Sequence, residues 1–493
     1  MRLSVSRGYT WVFLVLLYAV AFSAPAAWGC TTVLAARNAT MDGSIIIAKN
    51  RDLSEYEVQW LYRVPPMDHA PGSTVSLQYI EIPQVEETFG WVGSKSYDKK
   101  WGVGMGINEW GVVVADNDAP TREPLEGESG LHDNDICRLV LERSKTAYEG
   151  VMLVGSFIEE YGHSYVGQIY WIVDPDEAWI VECAGRHWAA VRVTDGVEVR
   201  ANQYQITTVW DEGSSDLVEF AVGRGWCESP EDFSFADCYS REGYPYRSSQ
   251  TRVERGLNLM GGKTGELTRE DLMRVLSDHY EDTHLYRSPH GNEMYRTICS
   301  ERTVSAMVAQ LDPGLPPGMQ VMWYCMSSPC VGVFMPVYAN VSKIPEPYLT
   351  GEGPEDLSGY DEESAWWVYK MLQLSVDEDY GVRQPPVREM WDGVYDAASS
   401  EVEEMEEVLL ALFGDGEAAE ARRLMDELVE ARLTGCYEAV AETVNGFMGG
   451  KEPEPVEVAE NEDKTLIYLG VAGLMLFIGG VIVVYTIKIG ARH

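Results

Sequence analysis

The chain has 493 residues, of which 78 are acidic and 38 basic, and its formal net charge is −40. Hydrophobic residues make up 45% of it, which excludes an intrinsically disordered chain, and its length excludes a small disulfide-stabilised fold. A strongly anionic surface repels the phosphate backbone of a polymer, so we expect no nucleic-acid partner.

Both ends carry signals of a protein that is exported and held in a membrane. Basic side chains, an apolar run and small residues up to Gly29 predict a signal peptide over residues 1–29. Residues 465–487 contain no charged side chain and are long enough to cross about 30 Å of hydrocarbon. An acidic linker (449–464) precedes this predicted transmembrane helix and a basic tail (488–493) follows it, which places the tail in the cytoplasm. We therefore expect a single-pass protein of the cell membrane with the bulk of the chain outside the cytoplasm.

The first half of the exported chain predicts strands around a helical segment. Two β-branched runs within residues 31–48 flank a turn and predict a hairpin. Further strands are predicted in 99–118, followed by one or two amphipathic helices in 134–161. Alternating apolar and polar residues then predict three or four antiparallel strands in 168–207.

The second half predicts two helices, more strands and a long helical region. The helices fall at 249–260 and 268–280, the strands lie in 318–340, and an acidic helical region covers 361–448. Helices that flank multi-strand meanders predict an α+β fold in which helices pack over antiparallel sheets. The helical region could pack against the rest of the protein or hold it above the membrane.

Cys30 is the residue that cleavage after Gly29 would place at the amino terminus. Its thiol and a free α-amino group would then share one residue, and an amine with a pKa of about 8 can act as a base near neutral pH. This pairing predicts a self-contained nucleophile and base. Two alternatives stay open: Cys30 could carry a lipid, or it could pair in a disulfide, since the chain has nine cysteines.

Several other catalytic and metal-binding patterns are missing from the sequence. It has no CxxC motif and no His/Cys array at zinc spacing, so we predict no structural zinc site. It also lacks the G-x-S-x-G and H-E-x-x-H motifs of serine and zinc hydrolases. We therefore interpret the scattered histidines, among them His279 and His290, as structural.

Ordered blocks of the chain resemble a known family. They are CTTVLAARNATMDGSIIIAKNRD (30–52), GINEWGVVVADND (106–118), ANQYQIT (201–207) and RSSQTRVERG (247–256). These blocks resemble the secreted dipeptidases of the N-terminal-nucleophile (Ntn) hydrolase superfamily, relatives of penicillin V acylases and choloylglycine hydrolases. The resemblance covers roughly residues 30–345 and implies a catalytic domain at 30–360 that folds as a four-layer αββα sandwich.

The resemblance also implies roles for five residues. Cys30 would be the nucleophile and, through its α-amine, the base. Asp52 would hold the new amino terminus, and Arg252 would lie near the nucleophile and favour its thiolate. Asn202 would donate to the tetrahedral oxyanion, and Asn117 would line the same pocket. Taken singly, Asp52 could cap a turn, Asn202 could close a hairpin and Arg252 could be a solvated helix residue.

One position departs from the acylase relatives, which carry arginine three residues before the aspartate. Here that position is Lys49. A compact ammonium cannot make the planar bidentate contact of a guanidinium, so the role of that arginine does not carry over.

The function implied by the resemblance is a membrane-anchored cysteine peptidase that hydrolyses dipeptides or short peptides through a thioester. This chemistry needs no metal and no organic cofactor. An N-acyl amide hydrolase would use the same machinery and is one alternative. The other is a non-catalytic surface binding module in which Cys30 is lipidated or disulfide-bonded.

Overall fold

The computed structural model describes residues 29–290, 295–353 and 357–449, which belong to one compact unit. The predicted signal peptide, except Gly29, lies outside the described residues, as do the linker beyond Gly449, the predicted span at 465–487 and the tail. Within the described ranges no helix is long and apolar enough to cross a membrane. The membrane span therefore stays a prediction.

The strands of the described chain are β1 (Thr31–Ala35), β2 (Ile45–Asp52), β3 (Gln59–Val64), β4 (Met67–Asp68), β5 (Thr74–Ser76), β6 (Glu81–Pro83), β7 (Glu87–Thr88), β8 (Trp91–Ser96), β9 (Met105–Asn108), β10 (Val113–Ala119), β11 (Gly167–Val173), β12 (Ala178–Ala184), β13 (His187–Val193), β14 (Val197–Arg200), β15 (Glu212–Gly213), β16 (Thr303–Leu311), β17 (Val321–Met326) and β18 (Met335–Tyr338).

The α-helices of the same ranges are α1 (Asp133–Arg143), α2 (Ala147–Tyr161), α3 (Leu217–Gly223), α4 (Phe235–Tyr239), α5 (Arg247–Met260), α6 (Arg269–Leu276), α7 (Ala365–Asp377), α8 (Tyr380–Gly414) and α9 (Ala418–Met448). Short 3-10 helices lie at Gly127–Ser129, Pro230–Asp232, Pro317–Met319, Glu346–Leu349 and Leu357–Gly359.

Two antiparallel sheets face each other at the centre of the molecule. One has the strand order β14-β1-β2-β16-β17-β18, and the other has the order β15-β13-β12-β11-β10-β9-β8-β3. Polar side chains join them: Thr32 Oγ1 donates to Asn117 Oδ1 at 2.8 Å, and the hydroxyls of Ser94 and Ser305 lie 2.9 Å apart. The facing surfaces therefore hold buried polar groups as well as apolar ones.

Helices cover both sheets, which confirms the predicted α+β fold. Helices α1 and α2 pack on the eight-stranded sheet, whereas α5 and α6 pack on the six-stranded sheet. Helices α7, α8 and α9 contact β17 or β18. The acidic helical region thus packs against a sheet of the main body, a point on which the sequence left two possibilities.

Local sequence explains most of the boundaries. The predicted hairpin is β1 and β2, with Val33 opposite Ala48. The helical segment 134–161 divides because Thr146 caps α2, where its side chain accepts the backbone N–H of Glu149. The helix predicted at 268–280 ends earlier, at Leu276, with Ser277 as its C-cap, and the φ of 67° at Tyr280 is one that an α-helix does not accommodate.

Candidate active site

Cys30 lies directly before β1, beside the end of β2. It is 8% exposed, and its sulfur accepts the backbone N–H of Asp52. Burial raises the pKa of the Cys30 thiol to about 11, although the positive charge of Lys49 opposes this rise. While Gly29 is still attached, the thiol is therefore protonated at neutral pH.

Asp52 ends β2 and is buried next to Cys30. Its Oδ1 accepts a hydrogen bond from Thr303 Oγ1 at 2.7 Å. Its Oδ2 lies 3.7 Å from Nη2 of Arg296 and has no hydrogen-bond partner among the described residues. Burial raises the pKa of Asp52, and the charge of Arg296 opposes that rise. The Asp52 carboxylate thus offers a buried acceptor close to Cys30.

Arg252, on α5, holds the backbone on both sides of Cys30. Its Nη1 donates to the carbonyl oxygens of Gly29 and Cys30 at 2.7 and 2.9 Å, and to Thr31 Oγ1 at 2.9 Å. Its Nη2 donates to Asn202 Oδ1 at 2.8 Å. Burial lowers the pKa of Arg252 to about 10. The guanidinium therefore joins the start of β1 to Asn202, and these hydrogen bonds run to backbone and side-chain oxygens.

The two asparagines use their amide groups differently. Asn202 Nδ2 donates to the carbonyl of Asp118 at 2.9 Å, which leaves one further N–H on that nitrogen. Asn117 Oδ1 accepts from Thr32 Oγ1 at 2.8 Å and from Trp171 Nε1 at 3.1 Å. Its Nδ2 is buried and has no acceptor within the described part of the chain. The side-chain N–H groups of Asn117 are therefore available to a ligand, whereas one of those of Asn202 is already used.

Lys49 is a site residue to which the sequence analysis gave no role. It is fully buried on β2, where its Nζ donates to the Gly104 carbonyl at 3.1 Å and pairs with the Asp116 carboxylate. Burial is the largest influence on the pKa of Lys49 and favours a lower value, but the charges of Asp116 and Cys30 and the hydrogen bond to Asp116 together outweigh it, so the pKa is raised. Lys49 is therefore the cation whose field favours the Cys30 thiolate. Its signal in the sequence is the polar run KNRD at the end of an otherwise apolar strand.

A cavity of about 430 Å³ is lined by one of these residues, Asn202. Its lining includes Arg51, Asn202, His132 and three carboxylates, those of Glu57, Asp118 and Asp133. Burial and the nearby Asp133 raise the pKa of Asp118 to about 7. Burial also favours a higher pKa for Asp133, but its interactions with His132, Asp116 and Arg51 together outweigh burial and the pKa is lowered. The sequence analysis missed His132, Asp118 and Asp133 as site residues because they come from separate segments.

A larger cavity of about 810 Å³ lies elsewhere, between Tyr97 and residues of the 351–361 segment. None of the five predicted site residues lines it. The smaller cavity, which contains Asn202, is therefore the candidate substrate site.

All nine cysteines, Cys30 included, are free thiols in the structure. Two of the others, Cys299 and Cys330, lie close to His279 and His290 in a buried cluster that could hold a metal ion. The sequence prediction of no zinc site considered only ligands close together in the chain, and these four are not.

A buried cysteine with a cation, a carboxylate and two amide donors around it has the groups that a cysteine-type amide hydrolase uses. The chain belongs to peptidase family C69, which matches residues 29–393. The match begins one residue before Cys30 and includes all five predicted site residues. The protein is accordingly an enzyme that hydrolyses amide bonds.

Two curated relatives carry the names of dipeptidases. A probable dipeptidase of Latilactobacillus sakei is 27% identical over 396 residues, which is 71% of this chain and 82% of the relative. A probable dipeptidase B of Lactococcus lactis subsp. lactis (strain IL1403) is 26% identical over 396 residues, again 71% of this chain and 82% of the relative.

Two solved structures are also similar. A penicillin V acylase from Agrobacterium tumefaciens aligns with 63% of this chain and 86% of its own, at 13% identity and a TM-score of 0.37. A conjugated bile acid hydrolase from Clostridium perfringens aligns with 60% of this chain and 89% of its own, at 14% identity and a TM-score of 0.35.

Proposed function

We propose that this chain is an exported, membrane-anchored dipeptidase whose nucleophile is Cys30 at a mature amino terminus. The observation that carries the proposal is the surroundings of Cys30: the Asp52 backbone N–H on its sulfur, the Lys49 charge nearby and Arg252 on its carbonyl. These groups position and activate a thiol, whereas a lipid anchor or a disulfide would need none of them.

In the proposed mechanism the α-amine of Cys30 takes the thiol proton, and the thiolate attacks the substrate carbonyl. The oxyanion receives hydrogen bonds from Asn202 and from Asn117, whose Nδ2 has no acceptor in the described chain. The amine then protonates the leaving nitrogen, the C–N bond breaks and a thioester forms. Water attacks this thioester, its proton passes to the amine, and the free thiol and the product acid are released.

Release of residue 29 is the step that creates this base. The Gly29 carbonyl now accepts from Arg252, and a Cβ at position 29 would lie 2.3 Å from a guanidinium nitrogen of Arg296. After cleavage an α-ammonium takes the place of this peptide nitrogen. The buried Oδ2 of Asp52, which has no hydrogen-bond partner among the described residues, is an acceptor suited to orient it.

The chemistry of the cavity favours a dipeptide over an N-acyl amide. A dipeptide has a free α-ammonium close to its scissile carbonyl, and the carboxylates of Asp118 and Asp133 line the cavity that Asn202 adjoins. A carboxylate binds an ammonium group well, whereas an apolar acyl chain would desolvate these carboxylates and offer them no further hydrogen bond.

The first test is amino-terminal analysis of the mature protein together with a dipeptide hydrolysis screen. We expect a mature sequence that begins C-T-T-V and release of free amino acids, which Cys30→Ala abolishes. A diacylglyceryl cysteine, or activity that survives in Cys30→Ala, would contradict the proposed mechanism. Hydrolysis of N-acyl amides in preference to dipeptides would instead favour the acylase alternative.

Membrane anchoring is proposed from residues 465–487 and tested separately. We expect the full chain to stay in the membrane fraction after alkaline carbonate extraction, and a chain that ends at Gly449 to be released with its dipeptidase activity intact. Extraction of the full chain by carbonate would contradict the anchor without affecting the proposed chemistry.

A further inference from the structure

Two histidines and two cysteines outside the active site meet in one cluster. His279, His290, Cys299 and Cys330 each offer one ligand atom, and these four atoms lie within 4.8 Å of one another. His279, Cys299 and Cys330 are 1%, 0% and 4% exposed, and the His290 side chain is 7% exposed. We propose that this cluster binds one Zn²⁺ ion and that the ion has a structural role.

The distances fit a tetrahedral zinc site. With Zn–S bonds of about 2.3 Å and Zn–N bonds of about 2.0–2.1 Å, sulfur and nitrogen ligands lie about 3.5 Å apart. His290 Nε2 lies 3.3 Å from Cys330 Sγ and 4.0 Å from Cys299 Sγ. Shifts of a few tenths of an ångström, about what a side chain can absorb, would complete the coordination.

The histidines are oriented as metal ligands by carboxylates behind them. His290 Nδ1 lies 2.8 and 2.9 Å from the two carboxylate oxygens of Asp377, and His279 Nδ1 lies 2.7 Å from Glu281 Oε1. A carboxylate that accepts the Nδ1 proton leaves Nε2 unprotonated and able to bind a metal. His279 Nε2 is buried and has no hydrogen-bond partner in the described ranges, which is the state expected of a ligand atom.

The donor set and its charge select zinc. Two thiols lose their protons on binding, so one Zn²⁺ enters, two protons leave, and the two thiolates neutralise the ion. Two sulfur and two imidazole ligands suit Zn²⁺, whereas Mg²⁺ and Ca²⁺ prefer oxygen. Four protein ligands fill the tetrahedron and leave no position for a reacting water, so the ion serves the fold.

The site would join segments that are distant in the chain. His279 follows α6, His290 and Cys299 precede β16, and Cys330 lies between β17 and β18. Asp377 ends α7, so the cluster also contacts the helical region. A bound zinc ion would thus link the segment after α6, the segment before β16 and the connection between β17 and β18.

One of these segments reaches the active site. Between the ligands His290 and Cys299 lies Arg296, whose Nη2 is 3.7 Å from Asp52 Oδ2. Asn50 Nδ2, on the strand that ends at Asp52, donates to the Ile298 carbonyl at 2.8 Å. Zinc on one side of this segment would therefore fix the loop that contacts Asp52 on the other.

The experiment is metal analysis of the full-length protein, purified without chelator and without a metal-affinity tag. We expect about one zinc per chain after exhaustive dialysis and almost none in Cys330→Ser. Cys325→Ser is the matched control, because Cys325 is also a buried thiol but lies outside the cluster, and it should keep the zinc. Loss of zinc from both variants, or from neither, would overturn the proposal.

A second measurement keeps the test decisive if Cys330→Ser does not fold. The folded wild-type protein is titrated with an organomercurial, and zinc release is followed with a chromogenic indicator. Release in step with modification of thiols supports the site. After an excess of a small thiol has removed the mercurial and has itself been removed, Zn²⁺ but not Mg²⁺ should restore the melting temperature of the stripped protein. Wild-type protein without zinc, or an intact mass and peptide map that show a Cys299–Cys330 disulfide, would overturn it.

Discussion

Asp118→Asn tests whether the cavity recognises the amino terminus of a dipeptide. The change removes the charge but keeps an oxygen that can accept from Gln168 Nε2, now 2.7 Å from Asp118 Oδ1, and it leaves the backbone carbonyl on Asn202 in place. A hydrogen bond to a charged group contributes about 1.5–3 kcal/mol. Because Asp118 is only half-buried at the cavity wall, we expect about 1–2 kcal/mol. That corresponds to a loss of about 5- to 30-fold in kcat/KM.

The assay compares a dipeptide with its N-acetylated form on both enzymes. The wild type should prefer the free dipeptide, and Asp118→Asn should lose that preference by the same factor while its activity on the acetylated substrate changes little. Asp68→Asn, an exposed carboxylate on β4, is the control. An unchanged ratio between the two substrates in Asp118→Asn would refute ammonium recognition at this residue.

The pH dependence provides a second readout of the same group. Since the pKa of Asp118 is raised to about 7, its carboxylate is lost as pH falls through that value, and kcat/KM for free dipeptides should fall with it. Above a pH of about 8 the substrate amine loses its proton, so the profile should also fall on the alkaline side. With the wild type, part of the fall in kcat/KM at low pH should occur with free dipeptides and not with acetylated ones. Asp118→Asn should lack that part of the fall. Superimposable acid limbs in wild type and variant would contradict the assignment.

Three further substitutions probe the site. Arg252→Lys should lower kcat by about 100-fold, because an ammonium cannot span the oxygens of Cys30 and Asn202 that the guanidinium joins. The circular dichroism spectrum should stay native. A wild-type kcat in this variant would exclude the positioning role. Lys49→Met should destabilise the fold by about 3–5 kcal/mol in urea unfolding, because it leaves buried Asp116 unpaired. Lys49→Met combined with Asp116→Asn should recover stability but not activity, and recovery of both would show that the Lys49 charge is not needed. Asn117→Asp keeps the acceptor for Thr32 but removes the Nδ2 donor, so turnover should fall by about 100- to 1,000-fold; full activity would assign the oxyanion to Asn202 alone.

Sequence reasoning singled out Cys30 as the candidate nucleophile because its signal is local. Cys30 follows a segment that is typical of a signal peptide, and the blocks around Asp52, Asn202 and Arg252 resemble one family in the same order. The strands and helices near them were also predicted well, since alternation and three- to four-residue spacing express which faces become buried. The family match confirms the class of enzyme.

The sequence alone determined the α+β class, the peptidase family and the candidate nucleophile of this protein. The tertiary structure decided the partner of Lys49, the carboxylates of the cavity, the packing of the acidic helices and the His/Cys cluster. The physical reason is distance along the chain: Lys49 meets Asp116, and His279 meets Cys330, only after the strands have paired and the helices have packed. A group's pKa and its ability to bind a substrate or metal depend on these neighbours, which are brought together by folding.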